Sequence, residues 1–370
     1  MLVSAVALLA PAGQPHASAA VPGAPDAPVS APEGPPGVAV AQPEPVCTAQ
    51  DPRVAELSGL VADGPPGASP ERYHAIPDGG GTAEVFTLDP ATCAVTAVRD
   101  TGIPVTDVED LGVTPDGALW LADVGDNGAR RDTVRLVVVP VSGPPRVHDL
   151  VYADGPRDAE AVLVGDDGIP LIVEKTTGVA GVYRPARPLD GAGPVTLERV
   201  TGVVLPYSTT TGGPLGAVGS RTVTGAAVGP PGAADGRAVA LRTYTDAWVF
   251  PLRGGPAEPA TADALVEALR GSPLPVPLPD EPQGEAVAWD GRGTLHSGSE
   301  ARGMSQAAVR AVPGVLAVAT TTAAPMVEQP AEAPAVRSFP PWLPAATGAG
   351  VLGALLLAGI GAMTLHGRRR

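Results

Sequence analysis

The chain has 370 residues, 47 of them Gly and 45 Pro, and a formal net charge of −15 at pH 7. Lys175 is the single lysine among its 24 basic side chains, and no basic cluster precedes the Arg368-Arg369-Arg370 end. That excludes the Lys/Arg-rich surface needed to bind a phosphate backbone, so nucleic acid is not an expected partner.

Residues 2–10 are apolar and lead to the small-residue pattern Ala17-Ser18-Ala19, which predicts an export signal over residues 1–19. It lacks a basic lead, so either the signal is atypical or its start lies upstream. Residues 20–46 are rich in Ala, Pro and Gly without periodicity. A segment of that composition cannot bury enough apolar area to offset its ordering entropy, and a flexible arm is expected there. Cys47 and Cys93 are the two cysteines, and a lone pair in an exported protein predicts a disulfide.

From residue 47 to residue 312 the chain reads as repeats. Glu109-Asp110-Leu111-Gly112-Val113, Glu160-Ala161-Val162-Leu163-Val164 and Glu285-Ala286-Val287-Ala288-Trp289 each open a small apolar run with a carboxylate. Ser58-Gly59-Leu60-Val61 and Thr224-Gly225-Ala226-Ala227-Val228 are weaker copies. A supersecondary unit recurring at a near-fixed period marks a propeller or an array. Asp116-Gly117, Asp167-Gly168, Asp235-Gly236 and Asp290-Gly291 follow the first strands and predict hairpins with type I′ turns. Second strands such as residues 118–122 and 238–241 come next, then third strands at 133–139, 181–183 and 247–250. Residues 262–270 are the exception, a short helix with Thr261 as cap and Gly271 as stop. The Pro-rich run 273–279 after it is extended and unsuited to a central strand.

The fold class expected is all-β, a β-propeller of five or six four-stranded blades with a C-terminal transmembrane helix. The sixth blade would lie near residues 200–207. A β-sandwich is the alternative, but it leaves the recurring carboxylate unexplained. Residues 313–344 read as a Pro/Thr-rich stalk, 345–365 as a transmembrane helix long enough to cross the bilayer, and 366–370 as a basic cytoplasmic tail. These ends predict a single-pass cell-membrane protein with its N-terminal domain extracellular. Leu343-Pro344-Ala345-Ala346-Thr347-Gly348 also resembles a sortase signal with one extra residue, which makes cell-wall attachment the second anchoring option.

In a blade, the start of the first strand and the end of the second meet at one face of the disc. That rule gathers Glu109 with Asp126 and Asn127, Glu160 with Glu174 and Lys175, Thr224 with Arg242, and Glu285 with Glu300. The first repeat adds Ser58 and Asp78. The set Glu109, Asp126, Asn127, Glu160, Lys175, Arg242, Glu285 and Glu300 is the candidate ligand or metal group. Hard oxygen donors of this kind suit Ca²⁺, while His74, His148 and His296 are unclustered and give transition metals no support. The same carboxylates could equally fasten the blades together. No Gly-x-Ser-x-Gly elbow is present, and His296-Ser297 falls on a strand where neighbours face opposite ways.

Val108-Glu109-Asp110-Leu111-Gly112-Val113 with Val124-Gly125-Asp126-Asn127, Asp158-Ala159-Glu160-Ala161-Val162, Leu241-Arg242-Thr243-Tyr244-Thr245-Asp246-Ala247 and Gln283-Gly284-Glu285-Ala286-Val287 form one set. Together they resemble a group of exported actinobacterial β-propeller proteins of uncharacterised function. These are distantly similar to WD40-like propellers and to the "esterase-like activity of phytase" propellers. The likeness covers residues 47–312 and implies a propeller fold, and it carries no catalytic residues across. Where relatives have an aromatic-Asn-Asp-Ser-Gly run, this chain has Ile76-Pro77-Asp78-Gly79-Gly80, of which Asp78 matches. The functional expectation is a membrane-tethered surface propeller that binds or scaffolds an extracellular protein or small ligand, with a Ca²⁺ or ligand site at an acidic channel mouth. The alternative is a metal-assisted hydrolase of phosphate or carboxylate esters.

Overall fold

The computed structural model describes residues 40–322, apart from residue 192 and residues 302–305. The export signal, most of the arm, the transmembrane helix and the basic tail fall outside the described residues, as does the stalk beyond residue 322. Among the described residues no helix is long and apolar enough to cross a membrane.

The described residues form five four-stranded antiparallel units. The opening strand, β1 (Glu44–Thr48), is held back for the end. The first unit is β2 (Leu57–Asp63), β3 (Arg72–Pro77), β4 (Gly79–Leu88) and the first half of β5 (Val95–Val113). β5 then continues without a break as the inner strand of the second unit, followed by β6 (Leu119–Asp123), β7 (Val134–Val139) and β8 (Arg146–Tyr152). The third unit is β9 (Ala159–Val164), β10 (Pro170–Glu174), β11 (Ala180–Pro185) and β12 (Val195–Val203). The fourth is β13 (Val223–Val228), β14 (Ala238–Thr243), β15 (Asp246–Pro251) and β16 (Leu274–Pro277). The fifth takes β17 (Gly284–Trp289), β18 (Leu295–Ser299) and β19 (Ala308–Val312) from the end of the domain, and β1 pairs antiparallel with β19 to complete it.

The inner strands β2, β5, β9, β13 and β17 each touch the next, and β17 returns to β2. The ring is therefore closed. Each junction between neighbouring units holds its own apolar cluster, five in all among the described residues. Every inner strand thus buries both faces, which is why its sequence is a continuous apolar run rather than an alternating one. The residues between β12 and β13 form no sixth unit: residues 195–203 are the outer strand of the third.

Cys47 and Cys93 are disulfide-bonded with Cα atoms 5.5 Å apart. Cys47 lies on β1, in the fifth blade, and Cys93 in the β4–β5 turn of the first, so the bond crosses the seam where the ring closes.

The hairpin turns differ from expectation. Gly117, Gly168, Gly236 and Gly293 have positive φ, whereas Asp116, Asp167 and Asp235 do not. Each of these glycines donates its N–H to the carbonyl three residues back. This is a type I turn ending in a left-handed glycine, and in the last repeat Gly293 takes the role instead of Gly291. Thr261 caps α1 (Ala262–Leu269) by accepting from Ala264 N–H at 3.3 Å, as the sequence indicates. A second helix, α2 (Val315–Thr322), packs on the cluster between the fourth and fifth blades and takes in residues assigned above to the stalk.

Candidate functional site

The repeat's first position has one structural meaning in all five blades. Ser58, Glu109, Glu160, Thr224 and Glu285 are each the residue skipped where the inner strand's pairing register slips. A bulge leaves its extra residue out of the ladder and re-aims the side chain. In two blades that side chain reaches the next inner strand: Ser58 Oγ donates to the Glu109 carbonyl, and Thr224 Oγ1 donates to the Gly284 carbonyl at 3.0 Å.

The position after the bulge decides how closely blades approach. A Cβ on Gly59 would sit 2.7 Å from the Leu111 nitrogen, and one on Gly225 would press on the Glu285 carbonyl. The second blade has Asp110 there instead, fully buried. Its carboxylate accepts Leu111 N–H at 2.8 Å, Val162 N–H at 2.8 Å and Ala226 N–H at 3.0 Å. Inner strands present an unpaired edge to the channel, and Asp110 satisfies amides of three blades with one side chain. Burial pushes its carboxyl up to about 7, against the downward pull of those three donors.

The acidic mouth forms around Glu109. Oxygens of Asp78, Asp107 and Glu109 lie within 4.8 Å of one another. Asp107 is positioned twice, its N–H donating to Asp123 Oδ1 at 2.9 Å and its carbonyl accepting from Gly125 N–H at 3.1 Å. A Cβ on Gly125 would fall inside contact distance of Glu109 Oε1 and 2.6 Å from Asp107 Oδ2, so any larger residue here would push both carboxylates aside. Burial, then the charges of Asp78 and Asp107, push the Glu109 carboxyl up to about 9. Burial, then Asp107 and Glu56, raise Asp78 to about 6. Asp107 is raised too, chiefly by burial.

Across the mouth, Gln283 Nε2 donates to Glu285 Oε1 at 2.9 Å and to Glu300 Oε2 at 2.6 Å. Glu285 Oε2 is buried with no hydrogen-bond partner. Burial, then the charge of Glu300, push Glu285 up to about 8. Lys175 pairs with Glu160 and lies 5.9 Å from the Tyr244 ring. Its charge also reaches Asp78, Asp107, Glu109 and Glu285, lowering each. Asp78, Asp107, Glu109, Glu160 and Glu285 therefore share the Lys175 ammonium, with Arg131 acting also on Asp107 and Arg242 on Glu285.

Three candidates stand elsewhere. Arg242 is fully buried and pairs with Glu281, its guanidinium packed under Gly284 where any Cβ would collide with it. It sits between the fourth and fifth blades rather than at the mouth. Asp126 spends its carboxylate inside its own loop, where Oδ2 accepts Arg130 N–H and Arg131 N–H at 2.6 Å each. Asn127 is exposed on the adjoining turn. Asp107 and Gln283 are the mouth residues that sequence reasoning missed. Asp107 carried a signal, because it precedes Glu109 by two residues on one strand and so shares its face. His296 and Ser297 diverge as the strand period requires: His296 meets Tyr73 Oη at 2.9 Å, and Ser297 Oγ meets Glu281 at 2.9 Å.

Five antiparallel units around a channel, closed by a strand from the opposite end of the domain, define a β-propeller. No family model matches the chain, and no curated protein matches its sequence. Among solved structures it is similar to a PQQ-bound aldose sugar dehydrogenase from Streptomyces coelicolor, at 12% identity over 75% of this chain and 99% of that one, with a TM-score of 0.38. It is also similar to a gluconolactonase from Xanthomonas campestris, at 13% identity over 65% of this chain and 69% of that one, TM-score 0.35. The calcium-binding protein regucalcin from Agrobacterium tumefaciens gives 13% identity over 69% and 75%, TM-score 0.35. At this distance the likenesses carry nothing about activity.

Proposed function

We propose that this is a binding propeller whose acidic mouth holds a divalent, oxygen-preferring cation, with Ca²⁺ the ion its donors fit. The observation that supports this reading is the convergence of Asp78, Asp107 and Glu109 within 4.8 Å, in a space that a Cβ at Gly125 would enter. A buried carboxylate with two half-buried ones at that distance must either keep its proton or share a cation. An all-carboxylate set favours a hard ion of flexible coordination over a transition metal. Glu285, with its unpartnered oxygen, lies near enough for its charge to raise Glu109. Export, membrane tethering and a cell-surface location belong to the same proposal and rest on the sequence of the chain ends.

The test is the melting temperature of the protein in EDTA and in millimolar Ca²⁺. A ligand at a hundred times its Kd stabilises the native state by about 2.7 kcal/mol. For a ring of this length that amounts to about 5 °C. The shift should vanish in Asp107→Asn and Glu109→Gln. No shift in the unaltered protein removes the cation and leaves the carboxylates as blade fasteners.

The raised carboxyl of Glu109 favours a second reading, metal-assisted hydrolysis of phosphate or carboxylate esters, because a carboxyl that keeps its proton at neutral pH can donate it during turnover. Release of p-nitrophenol from its phosphate and acetate esters, lost in Glu109→Gln, would support it. Absence of turnover in saturating Ca²⁺ would reject it.

A further inference from the structure

Polar side chains pin the chain between β12 and β13 to the ring. Ser208 Oγ and Thr210 Oγ1 donate to Asp246 Oδ1 at 3.0 and 2.7 Å, and Thr211 Oγ1 donates to Asp280 Oδ1 at 2.7 Å. Ser220 Oγ accepts Ser208 N–H at 3.0 Å, and Gly213 N–H reaches the Glu281 carbonyl at 2.8 Å. Leu205 is buried in the cluster between the third and fourth blades, but four other large side chains face water: Val204 is 58% exposed, Tyr207 65%, Leu215 61% and Val218 41%. Val179, 51% exposed, joins them, because it packs against Gly202 at the end of β12. Single exposed apolar residues are ordinary, but a group carried on one pinned segment marks a contact surface.

Two further features point the same way. Leu215 has φ of +69°, a conformation that costs a branched side chain energy and that glycine would adopt freely. A strained, outward-facing leucine thus stands where glycine would fold more easily, as at sites where strain serves function. The segment also forms one shoulder of the acidic mouth. Gly213 and Gly219 pack on Tyr244, Tyr244 N–H donates to the Gly219 carbonyl at 3.3 Å, and Lys175 lies 5.9 Å from the centre of the Tyr244 ring.

We propose that Val179 and the segment 204–218 form a docking surface for a peptide that combines apolar side chains with lysine or arginine, the apolar groups covering the shoulder while a basic group enters the mouth in place of the cation. Charge complementarity selects this occupant. A second copy would bring six carboxyl groups and a net charge of −15 against the same mouth, and an anionic lipid surface would be repelled likewise. The basic half of the proposal rests on the acidic mouth of the preceding section, and the apolar half does not.

The test uses three fluorescent, acetylated pentapeptides: one alternating leucine and lysine, one leucine and glutamate, and one serine and lysine. The leucine–lysine peptide should bind at least tenfold tighter than either of the others by fluorescence anisotropy. The double variant Tyr207→Ser, Leu215→Gly should lose that tenfold advantage. Leu215→Gly alone should weaken binding while raising the melting temperature, because the strained φ is relieved, and misfolding cannot produce that pair of results. Ca²⁺ is titrated separately. Peptide selectivity without a Ca²⁺ response leaves this surface standing and removes the cation. Equal binding of the three peptides, or full affinity in the double variant, overturns the proposal. So does a dimer in sedimentation, or adsorption to phosphatidylglycerol vesicles, that the double variant abolishes.

Discussion

Replacing Cys47 and Cys93 with alanine removes a bond spanning 46 residues of sequence. In the chain-entropy view, a loop of that length freed in the unfolded state costs about 4 kcal/mol. Unfolding entropy is about 2.1 cal/mol/K per residue, so a ring of roughly 280 residues should melt about 7 °C lower. Because the bond joins β1 to the first blade, the loss should have an address. Amides of β1 and β19 should exchange with deuterium earliest, ahead of those in the second and third blades. Differential scanning calorimetry reads the first quantity, and exchange followed by mass spectrometry reads the second. Dithiothreitol should lower the unaltered protein to the variant's melting temperature and leave the variant where it is, which separates the cross-link from the packing of two buried sulfurs. A fall below about 2 °C, or early exchange in the middle blades with β1 still protected, would refute the seam argument.

Asp110→Ala leaves amides of three blades without their acceptor. Two or three unmet buried donors should cost about 3 kcal/mol, seen as a lower denaturation midpoint in urea. Gly125→Ala should abolish the Ca²⁺-dependent melting shift while changing the melting temperature in EDTA little, since its Cβ competes with Glu109 and Asp107 for one space. The pH dependence follows from raised carboxyls. Asp78, Glu285 and Glu109 titrate near about 6, 8 and 9 in the folded protein, so the folded state holds more protons than the unfolded one above the ordinary carboxylate range. Their contribution is fully present below that range and is lost as pH rises through the folded values. In EDTA the melting temperature should therefore fall between about pH 5 and 9, and Ca²⁺ should flatten the fall.

The chain made its architecture legible because each blade repeats one physical requirement: a bulge that needs a polar or small side chain, then a run buried on both faces. Glu109, Glu160 and Glu285 announced it, and Ser58 and Thr224 kept the same phase with shorter side chains. Rotamers and burial depth were not legible. Arg242 and Glu285 both stand near strand ends on the fourth and fifth blades, yet one turns under Gly284 and the other lines the channel. Asp126 lies in a loop that could have aimed it anywhere, and two local amides claimed it. Asp110 went unnoticed because a carboxylate beside another reads as one acidic patch. It is instead the residue whose repeat position elsewhere holds only Gly or Ala. The turn type was misjudged because Asp-Gly favours both hairpin solutions, and the flanking pair of residues decided between them.

The pairing of β1 with β19 also sets how the ring bears tension. Glu44 lies opposite Ala311 and Thr48 opposite Ala308, so the chain enters and leaves at the same end of that ladder. A pull through the two flanking segments would open the pair like a zipper, one hydrogen bond at a time, instead of loading all of them in shear. Peeling would stop at Cys47, three residues into the strand, because its sulfur is tied to the first blade. The cross-link thus acts as a stop that turns a mechanically weak closure into one that holds under tension.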